Sequence, residues 1–362
     1  MLVESVAVTM LSRLEGMGPR RLSRLLEGSD PAQRVEQLIA GRKVDVELVG
    51  APIDQWRHQL QVMDPAAVRA EIVSQDVIVT VAGGPGHPEF LIDDVDPAPV
   101  LFRRGAAVAD KPRVAIVGTR RATSRPTPVA RELGFGLAEA GVCVVSGLAL
   151  GIDGAAHRGA LNASATPPVA FVGGGCDVVY PKRHGDLWAQ IGAVGTIASE
   201  APPGAPPVRW RFPARNRLIA AASDVVVVVE SRERGGSLLT VDEAIRRDRL
   251  VMAVPGSVRN PAAAGTNRLI SEGCPPVTAV DDVLIALGLS SRHHDSVPAA
   301  RQEPLLREEL ALVLASVDDG GTKLEQVVGR SGLAVPQVLA AIGELSGLGH
   351  VVDDGSQIRR CG

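Results

Sequence analysis

Aromatic side chains are scarce, with only 2% of the 362 residues being Phe, Trp or Tyr. A protein that grips nucleobases mainly by stacking displays several exposed rings, so an extended stacking platform is excluded. Basic residues are not in excess either, and the formal net charge is −3. That balance excludes nonspecific coating of a polyanion, and any polyanion site has to be local. Cys143, Cys176, Cys274 and Cys361 form no CxxC pair, which gives neither a disulfide framework nor a zinc knuckle. The N-terminal stretch lacks the basic start and long apolar segment of a signal peptide. The longest aliphatic run, Val225 to Val229, is far too short to span a bilayer. A reduced cytoplasm, with no membrane partner, is the expected setting. Two nucleotide signatures are missing as well: Val117-Gly118-Thr119-Arg120 lacks the GxGxxG spacing, and no GxxxxGK followed by Ser or Thr occurs. No cofactor or metal is expected.

What is present divides the chain into segments. Residues 1–75 read as small helices, with Val8, Leu11, Leu14, Leu22, Leu25 and Leu26 at helical spacing around Gly16-Met17-Gly18-Pro19. That Gly-apolar-Gly turn resembles a helix-hairpin-helix, whose amides can contact a phosphate, although a plain structural turn is the simpler reading. Residues 76–289 carry six short apolar runs alternating with amphipathic helices: Val114–Val117, Val142–Val145, Val169–Val172, Thr196–Ala198, Val225–Val229 and Val251–Val254. Runs apolar throughout are expected of strands covered on both faces. The fold class is therefore α/β, a Rossmann-like doubly wound parallel sheet. Asp76 to Gly105 supplies a lead-in strand and loop. Residues 290–304 are polar and Pro-bearing and read as a linker. Residues 305–362 offer three amphipathic helices and a hairpin, which suggests a C-terminal winged helix.

Gly-rich turns follow strand after strand: Gly118-Thr119-Arg120, Ser146-Gly147, Gly173-Gly174-Gly175, Arg234-Gly235-Gly236-Ser237 and Pro255-Gly256-Ser257. In an open α/β sheet such turns converge at the carboxyl edge, where helix N-termini present unpaired amides. Glycine lets an anion reach them without meeting a Cβ. Basic residues gather in the same turns, Arg120, Arg121 and Arg125 after the first strand and Lys182, Arg183 and His184 after the third. The most specific local signal is the segment from Arg209 to Arg217, where Arg209, Arg211, Arg215 and Arg217 alternate with Trp210, Phe212 and Asn216. Guanidinium groups neutralise phosphates, Asn reads a base edge and a ring offers a stacking face. Asp153 and His157 stand four apart at the start of a helix. A capping role suits Asp153 better than an acid–base one.

In order and spacing these residues resemble the DNA processing protein family DprA, also called Smf. The matching motifs include Val117-Gly118-Thr119-Arg120, Ser146-Gly147-Leu148-Ala149-Leu150-Gly151-Ile152-Asp153 with His157, and Gly173-Gly174-Gly175-Cys176-Asp177 leading to Tyr180-Pro181. They continue with Ser199-Glu200, Phe212-Pro213-Ala214-Arg215-Asn216-Arg217, Gly236-Ser237-Leu238 with Thr240, and Ala253-Val254-Pro255-Gly256. The resemblance implies a non-enzymatic homodimer that binds single-stranded DNA and loads the RecA recombinase onto it. It carries DNA-pocket roles onto Thr119, Arg120, Lys182, Phe212, Arg215, Asn216 and Arg217, with Gly118, Ser146, Gly147, Gly173, Gly174, Gly236 and Ser237 supplying amides. His184 departs from the Asn usual after Tyr-Pro, and His87-Pro88 stands where the family has Tyr-Pro. The third C-terminal helix, near Val335–Leu345, has no Lys or Arg and suits contact with protein better than duplex reading.

The rival reading is hydrolytic. Phosphoribohydrolases of the LOG type, which act on nucleoside monophosphates, carry an Arg ahead of a PGGxGTxxE motif on a similar fold. Here Arg217, Glu230 and Gly235 to Glu243 approach that pattern, but no Pro precedes Gly235 and the Gly-to-Thr spacing is one residue too long.

Overall fold

Apolar residues at helical spacing draw the N-terminal segment into five helices, α1 (Glu4–Ser12), α2 (Pro19–Leu26), α3 (Pro31–Ile39), α4 (Ile53–Val62) and α5 (Pro65–Ser74). Pro at the first helical position starts α2, α3 and α5, and the Asp30 and Asp64 carboxylates cap the last two. The turn between α1 and α2 is locked on both sides. Arg21 donates to the Gly16 carbonyl at 2.6 Å, and the buried Trp56 donates its Nε1 proton to the Glu15 carbonyl at 2.8 Å. This computed structural model describes residues 2–44, 46, 48–122, 126–289, 308–318, 321–347, 350–353 and 357–360. The chain falls into two units, Met1–Ser291 and Arg292–Gly362, and the five helices belong to the same unit as the large sheet.

Eight strands form that sheet: β1 (Ile78–Val81), β2 (Val100–Gly105), β3 (Arg113–Gly118), β4 (Cys143–Ser146), β5 (Val169–Phe171), β6 (Thr196–Ser199), β7 (Val225–Glu230) and β8 (Leu250–Ala253). Their order is β1-β2-β6-β5-β4-β3-β7-β8. The six expected runs are all strands and pair in parallel from β6 to β8. The lead-in segment differs from expectation by making two strands, and β2 runs antiparallel to both β1 and β6. Val100, Leu101 and Phe102 are buried on both faces, and such a run can pair in either direction.

A short helix, α6 (Glu89–Ile92), joins β1 to β2, and crossover helices α7 (Pro126–Glu139), α8 (Ile152–Leu161), α9 (Gly185–Val194), α10 (Arg211–Ala221) and α11 (Leu238–Ile245) link the parallel strands. Helices α12 (Ala264–Ser271) and α13 (Val280–Ala286) follow β8. Period-two alternation divides the core. Val114 and Ile116 pack with α7 and α8, whereas Ala115 and Val117 pack with the Leu218 and Ile219 side of α10.

The second unit holds α14 (Glu308–Ala315), α15 (Leu324–Ser331), α16 (Val335–Gly347) and an antiparallel pair, β9 (Val351–Asp353) with β10 (Ile358–Arg360). Its own core includes Leu310, Val313, Val327, Val338, Leu345, Val351 and Ile358. The expected linker, 290–304, lies outside the described residues. Among those described, no helix is long and apolar enough to cross a membrane, and no group of three His, Cys, Asp or Glu gathers to hold a metal.

Candidate nucleic-acid interface

From β3 the chain winds outward through β4 and β5 to β6, then returns to place β7 on the other side of β3. Neighbouring loops therefore diverge where β3 and β7 end, which is where ligands bind in open α/β sheets. The pairing register slips between Val117 and Gly118, and the Thr119 amide donates to the Glu230 carbonyl at 2.8 Å. Beyond that bond a cleft of about 690 Å³ opens. One wall is Gly118 to Arg121, the other Arg234 to Ser237 with Arg232, and α10 closes the third side. Gly118 has no room for a side chain, since a Cβ would lie 2.6 Å from Ile152 and 2.9 Å from the Glu230 carbonyl.

Helix periodicity decides what α10 contributes. Phe212, Arg215, Asn216 and Ile219 stand at i, i+3, i+4 and i+7 and all line the cleft. Arg120, Arg121, Arg209, Arg215, Arg232 and Arg234 line it too, against a single carboxylate, Asp153. The exposed Arg120 guanidinium sits 4.9 Å over the Phe212 ring, and Tyr180 lies 5.5 Å from the same ring. A side recess runs inward from this pair past Gly147, Gly173 and Gly174 to Trp188.

Arg215 is the buried cation beneath. It donates to the Phe171 carbonyl, and a Cβ on Gly147 would collide with its guanidinium. Burial lowers its pKa to about 10, with Asp153 opposing and Arg120 adding to the shift. Burial likewise raises the Asp153 carboxyl, while Arg215 and the Ala149 amide pull it back. Asp153 thus binds the backbone of the Gly147–Ala149 loop ahead of α8. Its role is structural, but it does not cap the helix, whose N-cap Gly151 has no side-chain cap. His157 is sealed from solvent, and burial, with His184 and Arg215 nearby, lowers its pKa to about 3. It stays neutral and reaches no ligand.

Of the residues named from sequence, Gly118, Thr119, Arg120, Phe212, Arg215, Asn216, Gly236 and Ser237 line the cleft, and Gly147, Gly173 and Gly174 line its recess. Three stand elsewhere. Ser146 is buried and its hydroxyl donates to the Ile116 carbonyl at 2.6 Å, so it holds β4 to β3. Lys182 is exposed on a 3-10 turn, Lys182–His184, just after Tyr180, and does not line the cleft. Arg217 points to the other side of α10, where it pairs with the buried Glu200 and donates to the Asp96 carbonyl at 2.6 Å. Its turn about the helix axis, two residues on from Arg215, is the reason. Arg125 lies outside the described residues. His184, the departure from the family pattern, is buried with Nδ1 3.1 Å from the Leu148 carbonyl. Arg232 and Tyr180 were missed as lining residues. Arg232 carries no local signal, because only the return of β7 beside β3 brings it to the cleft that Arg120 lines.

The hydrolytic constellation does not assemble. Arg217 opens onto a different hollow from Gly236 and Ser237. Glu230 is buried at the end of β7, and Glu243 pairs with Arg246 and Arg247.

A sheet that is parallel from β6 to β8, with a switch point lined by arginines and glycine turns, defines a Rossmann-like α/β protein. The model of one family, DNA recombination-mediator protein A, matches residues 79–288, and the chain belongs to that family. Protein Smf of Synechocystis sp. is 30% identical over 379 residues, spanning 94% of each chain. Among solved structures, DNA processing protein A from Streptococcus pneumoniae superposes with a TM-score of 0.66 at 30% identity, covering 79% of this chain and 98% of that one. DNA processing protein A from Helicobacter pylori, described for its single-stranded DNA binding mode, gives 0.53 at 28% identity over 58% and 95%.

Proposed function

We propose that this recombination mediator holds single-stranded DNA in the switch-point cleft without chemically altering it, and hands the strand to a RecA recombinase in the cytoplasm as a homodimer. The observation that carries the reading is the cleft lining itself, six arginines and a Phe212–Tyr180 ring pair facing one carboxylate. Spaced guanidinium forks match a sugar-phosphate chain better than a lone phosphate, and rings that accept any base suit a sequence-tolerant binder. A base-paired duplex has its bases stacked inside and offers nothing to Phe212. The likeness to the Helicobacter pylori protein, whose subject is a single-strand binding mode, supports the same choice. Arg120 and Phe212 act together, cation on phosphate and ring on base. Arg215 fixes the floor. Lys182, exposed just beyond Tyr180, is assigned to the strand as it leaves the rim.

A titration with single- and double-stranded oligonucleotides, run beside a nucleoside-monophosphate hydrolysis assay, tests this. Single strands are expected to bind preferentially, with no turnover. The logarithm of affinity should fall against the logarithm of salt concentration with a slope on the order of −2 to −4, about 0.7 for each phosphate neutralised. Equal duplex binding, a salt-independent affinity or monophosphate hydrolysis would each overturn the assignment.

A further inference from the structure

Helix α10 has a second side that the cleft does not use. Trp210, Pro213, Ala214 and Arg217 repeat the spacing of the cleft residues around the axis and line a groove of about 900 Å³, whose far wall is α2. Pro213 belongs to both hollows. Helix α11 borders both as well, with Leu239 and Thr240 in the cleft and Glu243 in the groove. The two concavities therefore adjoin on either side of the α10–α11 ridge, with Pro213 on the rim of both.

The groove has the chemistry of a strand path. Leu22 and Leu25 bury one side of α2, which leaves Arg20 and Arg24, one turn apart, exposed in the groove with Arg21 beside them. Arg20 reaches Asp96 at 3.2 Å, but its side chain is 76% exposed, and such a pair holds the guanidinium only weakly. Two lining carboxylates are already matched, Asp96 by Arg217 and Glu243 by Arg246 and Arg247. Glu27 stands at the end of α2. Trp210 is 52% exposed while Trp56 and Trp188 are buried, and the Arg211 guanidinium lies 5.2 Å from its ring. In a chain this poor in aromatics, an open indole beside cations is a stacking surface.

We propose that a DNA strand seated in the cleft continues over Pro213 into this groove, stacking a base on Trp210 and setting its phosphates against Arg20 and Arg24. The proposal rests on the cleft being the single-strand site. The N-terminal helices thereby lengthen the footprint.

Oligo-dT of roughly 6 and roughly 16 nucleotides, chosen within the range of known single-strand site sizes, separates the two hollows. Anisotropy titrations use the full chain, wild type, Arg24→Glu, Trp210→Ala and Arg120→Ala. Arg24→Glu and Trp210→Ala should each weaken the long oligonucleotide by about tenfold and leave the short one unchanged. Trp210 also reports directly, since acrylamide quenching of its emission should be relieved by the long strand and not by the short one. Arg24 is exposed, so that variant decides the matter even if Trp210→Ala does not fold. Wild-type affinity of Arg24→Glu for the long strand, or undiminished quenching in its presence, overturns the groove. Failure of the cleft reads differently, as no binding of either length and no effect of Arg120→Ala.

Discussion

Arg217→Ala is expected to cost about 3–5 kcal/mol of folding stability and to leave the affinity of folded protein for a short single strand unchanged. Both partners of the Arg217–Glu200 pair are buried, with side chains 6% and 7% exposed, and the same guanidinium donates to the Asp96 carbonyl. Removing the cation leaves a buried carboxylate uncompensated beside Asp96 and Asp94. Replacing Arg217 and Glu200 together by Met should restore much of the loss, because the uncompensated charge goes with its partner. Burial raises the Glu200 carboxyl to about 7, against the pull of Arg217 and with a push from Asp96 and Asp94. The folded chain therefore holds this proton more tightly than the unfolded chain does. Stability drawn from Glu200 falls as pH rises from the ordinary carboxylate range through about 7. Glu200→Gln should flatten that slope, and Arg217→Ala should cost more at about pH 8 than at about pH 5. Urea unfolding of the four proteins at the two pH values is the measurement. Weak DNA binding by a fully stable Arg217→Ala protein would return Arg217 to the DNA site.

The opposite pattern is expected at Arg120 and Phe212. Arg120 is exposed, and its influence on buried Asp153 and Arg215 is opposite in sign, so Arg120→Ala should change stability little and weaken oligo-dT binding by about 1.5–3 kcal/mol, as for a lost charge-assisted contact. Phe212→Ala should cost about 1–3 kcal/mol for one unstacked base. The double variant should lose less than the sum, since the guanidinium lies 4.9 Å over the ring and each positions the other. Anisotropy titrations of the three variants at one salt concentration give the coupling. Strict additivity would mean that cation and ring act on separate parts of the strand.

The contrast between Arg217 and Arg120 also measures what the sequence discloses. Strands β3 to β8 were legible because nearly every one is built on a short apolar run, the pattern of a strand covered on both faces. Glycine turns at the carboxyl edge followed from that topology. The segment from Arg209 to Arg217 was legible as chemistry but not as geometry. Read along the chain it is one cluster of guanidinium groups. Wound into α10 it is two, since residues 212, 215, 216 and 219 face the cleft, 210, 214 and 217 face away, and Pro213 borders both sides. Ser146, expected to offer an amide at the turn, is buried with its hydroxyl on the Ile116 carbonyl, a bond between β4 and β3 that its place beside a glycine does not reveal. The antiparallel β2 and the arrival of Arg232 at the cleft that Arg120 lines depend on pairings between distant segments, which no local pattern encodes.

The base of the cleft is set by main chain, the Thr119 amide on the Glu230 carbonyl and the slip of register at Gly118. No side chain takes part in that bond, so the splitting of β3 from β7 does not depend on which side chains line the walls. With the strand held as proposed, point substitutions there would retune how firmly it is gripped, while the seat itself is inherited with the backbone.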